Sequence, residues 1–323
     1  MTVIPERVAE SDLSQLLTSK LTRIHQGKVR DTYELPGNLL LVVVTERISI
    51  FDFVLPATVT NKGHILTALT IHWLTNVLQS TQNHLVAFGE DIEKYLPVKL
   101  RRIPSLKKQA IVVTRQEMLP VECIVRGYLT GSGWSSYQRN GTVCGIQLPE
   151  GLHDGSKLPE PIFTPTTKAE EGHDEHLDAG EVIEQYGDDL RQQSIAIYQT
   201  LADYAQQRGV ILADTKFEFG EGLILADEVG TPDSSRFWDV EEWKTAATQK
   251  KSPSPHDKQL VRDWGKTQGI HKLDPDDPTH LKLVSQLKVH QELLDKTTKT
   301  YHDIFARLTS QSLDDFTRDV MHI

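Results

Sequence analysis

The stretch ADTKFEFGEGLILADE, residues 213–228, alternates Phe217 and Phe219 with Lys216 and Glu218. A period of two is the mark of a strand with one apolar and one charged face. Glu221-Gly222 supplies a two-residue turn that returns the chain antiparallel. In that register residue 218 faces 225 and residue 216 faces 227, so Lys216, Glu218 and Asp227 share one face. Phe217, Phe219, Ile224 and Ala226 take the other, so the apolar pattern selects the register that gathers the charges. Two carboxylates with no His or Cys nearby suit a hard, oxygen-preferring ion such as Mg²⁺, which takes one or two carboxylates plus phosphate oxygens. A solvated face of cross-strand Lys and Asp pairs gives the same pattern.

Upstream of this hairpin, an amphipathic helix runs from about Asp188 to Gln207 and stops at Gly209, with a strand at residues 210–213. VECIVRGYL from Val121 and QAIVVT from Gln109 are buried-strand patterns joined by RQEMLP, which is the expected hinge. Further back, Thr22 to Thr45 reads as three strands punctuated by Gly27 and Pro36-Gly37-Asn38, an antiparallel meander. A helix over Asn61 to Leu78, with Asn61 as its cap, packs on that sheet. Ser132 to Arg139 reads as a short helix, and KLPEPIFTPTTKAEEGHDEH, from Lys157, as an extended surface loop. Downstream, KKSPSP is a linker and the remainder is helical, interrupted by LDPDDP. The fold class is therefore α+β, in three parts. A small antiparallel β-rich domain spans 1–116, an α+β domain 117–250, and a helical segment 251–323 packs on both.

The 323 residues, 38% hydrophobic and 25% charged, are those of a globular protein able to bury a sizeable core. A formal net charge of -10 excludes an extended nucleic-acid-binding face, which needs surplus Lys and Arg to replace counterions. Cys123 and Cys144 are the two cysteines, too few for a disulfide framework, and a reducing cytoplasm fits. The apolar runs are strand-sized, so no membrane span or signal peptide is expected.

Three further constellations carry chemistry. In GKVRD, residues 27–31, a glycine between two strands lets backbone approach a phosphate, with Lys28 and Arg30 as cations; a hairpin turn with a basic edge reads the same. TPDSSR, residues 231–236, combines small hydroxyls with Arg236, suited to gripping a phosphate or carboxylate, although turn chemistry alone explains TPDSS. Arg126 ends an apolar strand and leads into GYLTGSG and a helix N-terminus near Ser132, an anion site by its exposed amides. An Arg snorkelling to the surface is the alternative there. Cys123, in an apolar strand, reads as core.

Taken in chain order, GKVRD, TERISIFD, NKGHILT, PVECIVRGYLTGSGW, FTPTTKAEEGHDEH, DTKFEFG, LADEVGTPDSSRFW and DKQLVRDW resemble the SAICAR synthetase family, closest to its larger, eukaryote-like form. Glu46 and Ile50 stand where that family often shows Asp and Ala. The resemblance implies a ligase that uses ATP and Mg²⁺ to join L-aspartate to the ribonucleotide CAIR, through a CAIR acyl phosphate, in a cytoplasmic monomer. It implies an ATP cleft between the small and larger domains, with Gly27, Lys28 and Arg30 over the phosphates and Glu117 and Met118 at the adenine. Glu218 and Asp227 match metal-associated acids. Ser49, Asp52, Arg126, Ser132, Lys168, Asp174, Ser234 and Arg236 match substrate-binding positions, and Lys28, Lys216 and Asp214 match catalytic ones. A ligase acting on another carboxylate, or a nucleotide-binding module without catalysis, are the rival readings. Arg126 and Arg236 in one place favour a phosphorylated substrate.

Overall fold

A computed structural model describes residues 10–168 and 175–323. The chain divides into two compact units. One holds the described residues up to His72, together with 83–117 and 260–323, and the other holds 73–82 and 118–259.

In the first unit, β1 (Arg23–Gln26), β2 (Arg30–Leu35) and β3 (Leu39–Val44) form the expected meander. β4 (Arg47–Ile50) and β5 (Phe53–Thr58) make a separate hairpin, and β6 (Leu85–Phe88) and β7 (Ala110–Thr114) complete the larger sheet in the order β1-β2-β3-β7-β6. Val42 to Val44 and Ile111 to Val113 are β-branched residues that pack well on a pleated surface. One face closes over Tyr33, Leu41, Val43 and Val112, with Leu17, Leu100 and Leu106 against it. The helix Lys62–His72 is buried throughout. Asn61, just before it, has a left-handed φ of +61°, and its amide meets His302 at 3.3 Å. The C-terminal helices belong to this unit: Val261, Ile270, Val284 and Leu294 pack on Ile48, Ile50, Phe53 and Leu55 of the β4–β5 hairpin.

The second unit is built on β8 (Val121–Leu129), with β9 (Thr142–Val143) and β10 (Ile146–Gln147) as a small separate hairpin. β11 (Ser156–Phe163) and β12 (Thr166–Thr167) pair with β8, while β13 (Val210–Gly220) is flanked by β8, β14 (Ile224–Ala226) and β15 (Ser235–Asp239). The helix Asp188–Gln206 covers the sheet, with Leu190, Ser194, Ile197, Leu201 and Ala205 buried at spacings of three and four. Asp188 and Asp189 in its first turn complement the helix dipole. Tyr198 of that helix donates to the Leu212 carbonyl at 2.7 Å. A Cβ on Gly127 would lie 2.1 Å from the Tyr198 hydroxyl, so only glycine admits that approach.

Two sequence expectations fail here. KLPEPIF is not a surface loop: it lies within β11, antiparallel to β8, with Leu158, Ile162 and Phe163 buried. Its register against β8 shifts between Lys157 and Ile162, a bulge that accommodates Pro159 and Pro161 on an edge strand where no ladder bond is required of them. The strand expected at 210–213 is also continuous with the hairpin strand, so β13 runs eleven residues without a break. Among the described residues, no helix is long and apolar enough to cross a membrane.

Candidate active site

The β13–β14 hairpin forms, with a register one residue away from the sequence reading. Glu218 pairs with Ala226, Phe219 with Leu225 and Gly220 with Ile224, which leaves three residues in the loop. Gly222 and Leu223 both have positive φ, +68° and +60°, and the extra left-handed residue lengthens the turn. Phe217, Phe219, Leu225 and Ala226 are buried, with Leu225 where Ile224 was expected. Asp227 then adopts a φ of +58° as the strand ends.

Lys216 is the centre of this charge group. Its Nζ donates to Glu122 Oε1 at 2.5 Å and to Glu218 Oε1 at 2.8 Å, while Lys168 donates to Glu218 Oε2 at 2.5 Å. Burial works against the Lys216 ammonium, but the carboxylates of Glu218, Glu122 and Asp227 outweigh it and raise its pKa above the ordinary lysine value. The kink at Asp227 thus does not remove its charge from the Lys216 field. Glu122 is a participant that the sequence reading passed over. Its signal was a single carboxylate in the apolar run PVECIVRGYL, and it also accepts from Thr166 at 3.1 Å. The acids are oxygen donors only, a set that suits a hard divalent ion completing its shell with phosphate oxygens. Among the described residues, no three His, Cys, Asp or Glu side chains could hold a metal by themselves.

A second cluster follows from strand order. β13 lies between β8 and β15, and Asp214 is directly opposite both Arg126 and Arg236. All three residues therefore stand in one row across the sheet. Arg126, 1% exposed, donates to Asp214 Oδ2 at 2.6 Å, to Thr164 at 3.0 Å and to Ser132 Oγ at 3.0 Å. Arg236 donates to the same Asp214 oxygen. Burial lowers the Arg126 pKa, with Asp214 opposing. For Arg236 burial acts the same way, but Asp214 and Asp257 more than offset it and the pKa rises. The two guanidiniums stand beside Gly131 and Ser132, in the first turn of the helix Gly131–Asn140, with Asp257 and Asp154 also acting on Arg236. Gly131 has a φ of +57°, and a Cβ there would lie 2.4 Å from Arg236 Nη2. Asp214 itself is 4% exposed and committed to the two arginines.

The TPDSSR segment is a hydroxyl-linked turn. Ser234 N donates to the Thr231 carbonyl at 3.1 Å, Thr231 Oγ1 donates to Glu228 at 2.5 Å, and Thr215 and Ser235 hydroxyls meet at 2.8 Å. That network sets Ser234 and Arg236 on a rigid path.

In the first unit, the Gly27–Asp31 turn closes by a 2.7 Å bond from Gly27 N to the Arg30 carbonyl. A Cβ on Gly27 would lie 2.9 Å from that oxygen, so glycine is required by close approach. Lys28 is paired with Asp52, and Ser49 is buried on β4. Phe51 and Asp52, the tip of the β4–β5 hairpin, both have positive φ, +50° and +67°, a conformation usually filled by Asn or Gly. Arg30 opens β2 opposite Val44. Glu117 is exposed at the end of the first unit, and in the second Met118 pairs with Gly220. Asp174 lies outside the described residues. Cys123 is fully buried and its thiol is pushed up to about 12 by burial, in keeping with a core residue.

Comparison with known proteins bears on the whole chain. A family model described as SAICAR synthetase matches residues 23–275. A phosphoribosylaminoimidazole-succinocarboxamide synthase of Maridesulfovibrio salexigens is 41% identical over 96% of this chain and 99% of its own length. That of Syntrophobacter fumaroxidans is 43% identical over 96% and 98%. Among solved structures, SAICAR synthase from Saccharomyces cerevisiae complexed with SAICAR superposes with a TM-score of 0.76 at 36% identity, covering 90% of this chain and 96% of the yeast chain. With the hairpin acids, the paired arginines and the glycine turn all present in one chain of matching length, this protein belongs to the SAICAR synthetase family.

Proposed function

We propose that the chain condenses CAIR, 5-amino-1-(5-phosphoribosyl)imidazole-4-carboxylate, with L-aspartate to give SAICAR, ADP and phosphate in purine biosynthesis, through an acyl phosphate of CAIR. The synthase activity itself goes with membership of the family. The observation that carries the substrate reading is the convergence of Arg126 and Arg236 on Asp214 beside Ser132. Forked donors of this kind grip a phosphate or a carboxylate, and two of them in one place favour a phosphorylated substrate.

A carboxylate is a poor electrophile until one of its oxygens becomes a good leaving group. Transfer of the ATP γ-phosphoryl group to a CAIR carboxylate oxygen releases ADP and makes the acyl phosphate. The aspartate amine then attacks the carbonyl carbon, phosphate leaves, and one amine proton is lost as the amide forms. Lys28 and Lys216 offset charge on the transferring group, with Gly27 and Arg30 beside the phosphates and Glu117 and Met118 at the adenine. Arg126, Arg236, Ser132 and Ser234 hold the CAIR phosphate and ring substituents, with Lys168, Ser49, Asp52 and Asp174 as further substrate contacts. Asp214, at a catalytic position by the family resemblance, fixes the two guanidiniums. Mg²⁺ held by Glu218 and Asp227 would supply charge neutralisation at the phosphates. We also infer a cytoplasmic monomer.

The test is ADP release by purified protein with ATP, Mg²⁺ and CAIR, with and without L-aspartate, following the succinocarboxamide by absorbance. Product only with all components is expected. ATP binding without aspartate-dependent product moves the assignment to another ligase or to a non-catalytic module.

A further inference from the structure

Four successive carbonyls of the Gly27–Asp31 turn are tied down from below. Arg47, the first residue of β4, donates from Nη2 to the Gly27 carbonyl at 3.1 Å and from Nε to the Lys28 carbonyl at 3.1 Å. The same guanidinium forks onto Asp31, with Nη2 to Oδ1 at 2.6 Å and Nη1 to Oδ2 at 3.4 Å. Thr45 takes the Val29 carbonyl, through its N at 2.9 Å and its Oγ1 at 2.8 Å, and Gly27 N takes that of Arg30. In a planar trans peptide the C=O and the following N–H point in opposite directions. Drawing the Gly27 and Lys28 carbonyls onto Arg47 therefore turns the N–H groups of Lys28 and Val29 to the opposite side. Two successive amides facing one way form an anion receptor.

We propose that Arg47 is the positioning residue of this turn, presenting the Lys28 and Val29 amides to the polyphosphate of ATP, an inference that rests on the nucleotide reading of the turn. The role needs arginine. Its side chain is 20% exposed against an Asp31 side chain 3% exposed, and only a planar fork with five donors satisfies one carboxylate and two carbonyls from a single position. Asp31 in turn keeps the guanidinium from rotating away. With its guanidinium taken up by the Gly27 and Lys28 carbonyls and Asp31, Arg47 contributes through the backbone in this proposal.

The test compares Arg47→Ala, Arg47→Lys and Lys28→Ala in the full chain. It measures affinity for ATP and for adenosine by titration calorimetry in the presence of Mg²⁺, with melting temperature as a control. Adenosine lacks phosphates, so loss of the amide receptor weakens ATP and leaves adenosine unchanged. Arg47→Ala is expected to weaken ATP roughly tenfold or more relative to adenosine, a loss of one or two amide hydrogen bonds to a charged group. Arg47→Lys, which keeps a cation beside Asp31 but loses the fork, is expected to lie between and stands in if the alanine variant melts at the assay temperature. Equal weakening of both ligands means a purely structural role and overturns the proposal, as does no effect on either. If Lys28→Ala weakens ATP while both Arg47 variants bind it normally, the positioning role alone falls. If Lys28→Ala leaves ATP affinity unchanged, the turn does not meet the phosphates and the nucleotide reading falls with it.

Discussion

Asp214→Asn removes one negative charge from between two guanidiniums and leaves every heavy atom in place. In the native protein Asp214 is 4% exposed, Arg126 is 1% exposed, and both arginines donate to the same Asp214 oxygen. An amide oxygen in that place can still accept from both guanidiniums, but it no longer carries the negative charge that balances them. Removing one member of a buried ion cluster costs about 3–5 kcal/mol, because the remaining charges stay desolvated without their partner. At about 2–4 °C per kcal/mol for a cooperative unit of this size, the melting temperature should fall by roughly 6–20 °C. The two arginines left behind then carry a larger positive field, offset only from the side of Asp257 and Asp154 beside Arg236, so inorganic phosphate should raise the melting temperature of the variant more than that of the parent. Thermal unfolding followed by circular dichroism, with and without phosphate, reads both effects. A loss below about 1 kcal/mol, the scale of an exposed pair, refutes the description of the cluster as a buried row held by one carboxylate.

Glu218→Gln and Asp227→Asn should each lower kcat at least about 100-fold, because each removes charge at the reacting phosphates, and Glu218→Gln, which takes the charged partner from Lys216 and Lys168, should also lower the melting temperature; near-parental turnover would sink the metal assignment. Gly131→Ala places a methyl 2.4 Å from Arg236 Nη2 at a left-handed backbone position. It should raise KM for CAIR about tenfold and leave KM for ATP unaltered, and an unaltered CAIR KM would mean that Arg236 is not part of the substrate grip. His64 is buried, with Nε2 2.9 Å from the Thr317 hydroxyl, and burial, aided by the charge of Lys108, lowers its pKa from 6.5 to about 3. A base with a depressed folded pKa binds its proton more readily in the unfolded chain. Its contribution to stability is therefore full above pH 6.5 and is lost as pH falls toward 3, by roughly 1.4 kcal/mol per pH unit. Denaturant midpoints of the parent and His64→Gln, measured across that range, should show the flatter slope in the variant; parallel slopes would contradict it.

The sequence by itself determined the elements whose two faces differ. The Phe and Lys/Glu alternation of β13, the meander around Pro36-Gly37-Asn38 and the periodic helix ending before Gly209 are local patterns, and burial of one face leaves each a single conformation. Lys216, Glu218, Arg126 and Arg236 were legible because they interrupt such patterns, whereas Glu122 was not. What remained illegible depends on partners distant in the chain. The three-residue loop needs Leu223 at a φ of +60°, which no local preference of leucine indicates. β11 forms despite Pro159 and Pro161 because it is an edge strand with a bulge, and edges are defined only by the assembled sheet. The grouping of the C-terminal helices with the first unit arises from apolar contacts to β4 and β5, more than two hundred residues earlier. The row Arg126–Asp214–Arg236 exists because β8 and β15 flank β13 in a definite register. Likewise, Arg47 reaches Gly27 and Asp31 only because the β4–β5 hairpin lies beneath the turn. Local chemistry sets which side chains a strand presents, but long-range strand pairing decides which of them meet, because the hydrogen bonds that fix neighbouring strands carry no record in either strand alone.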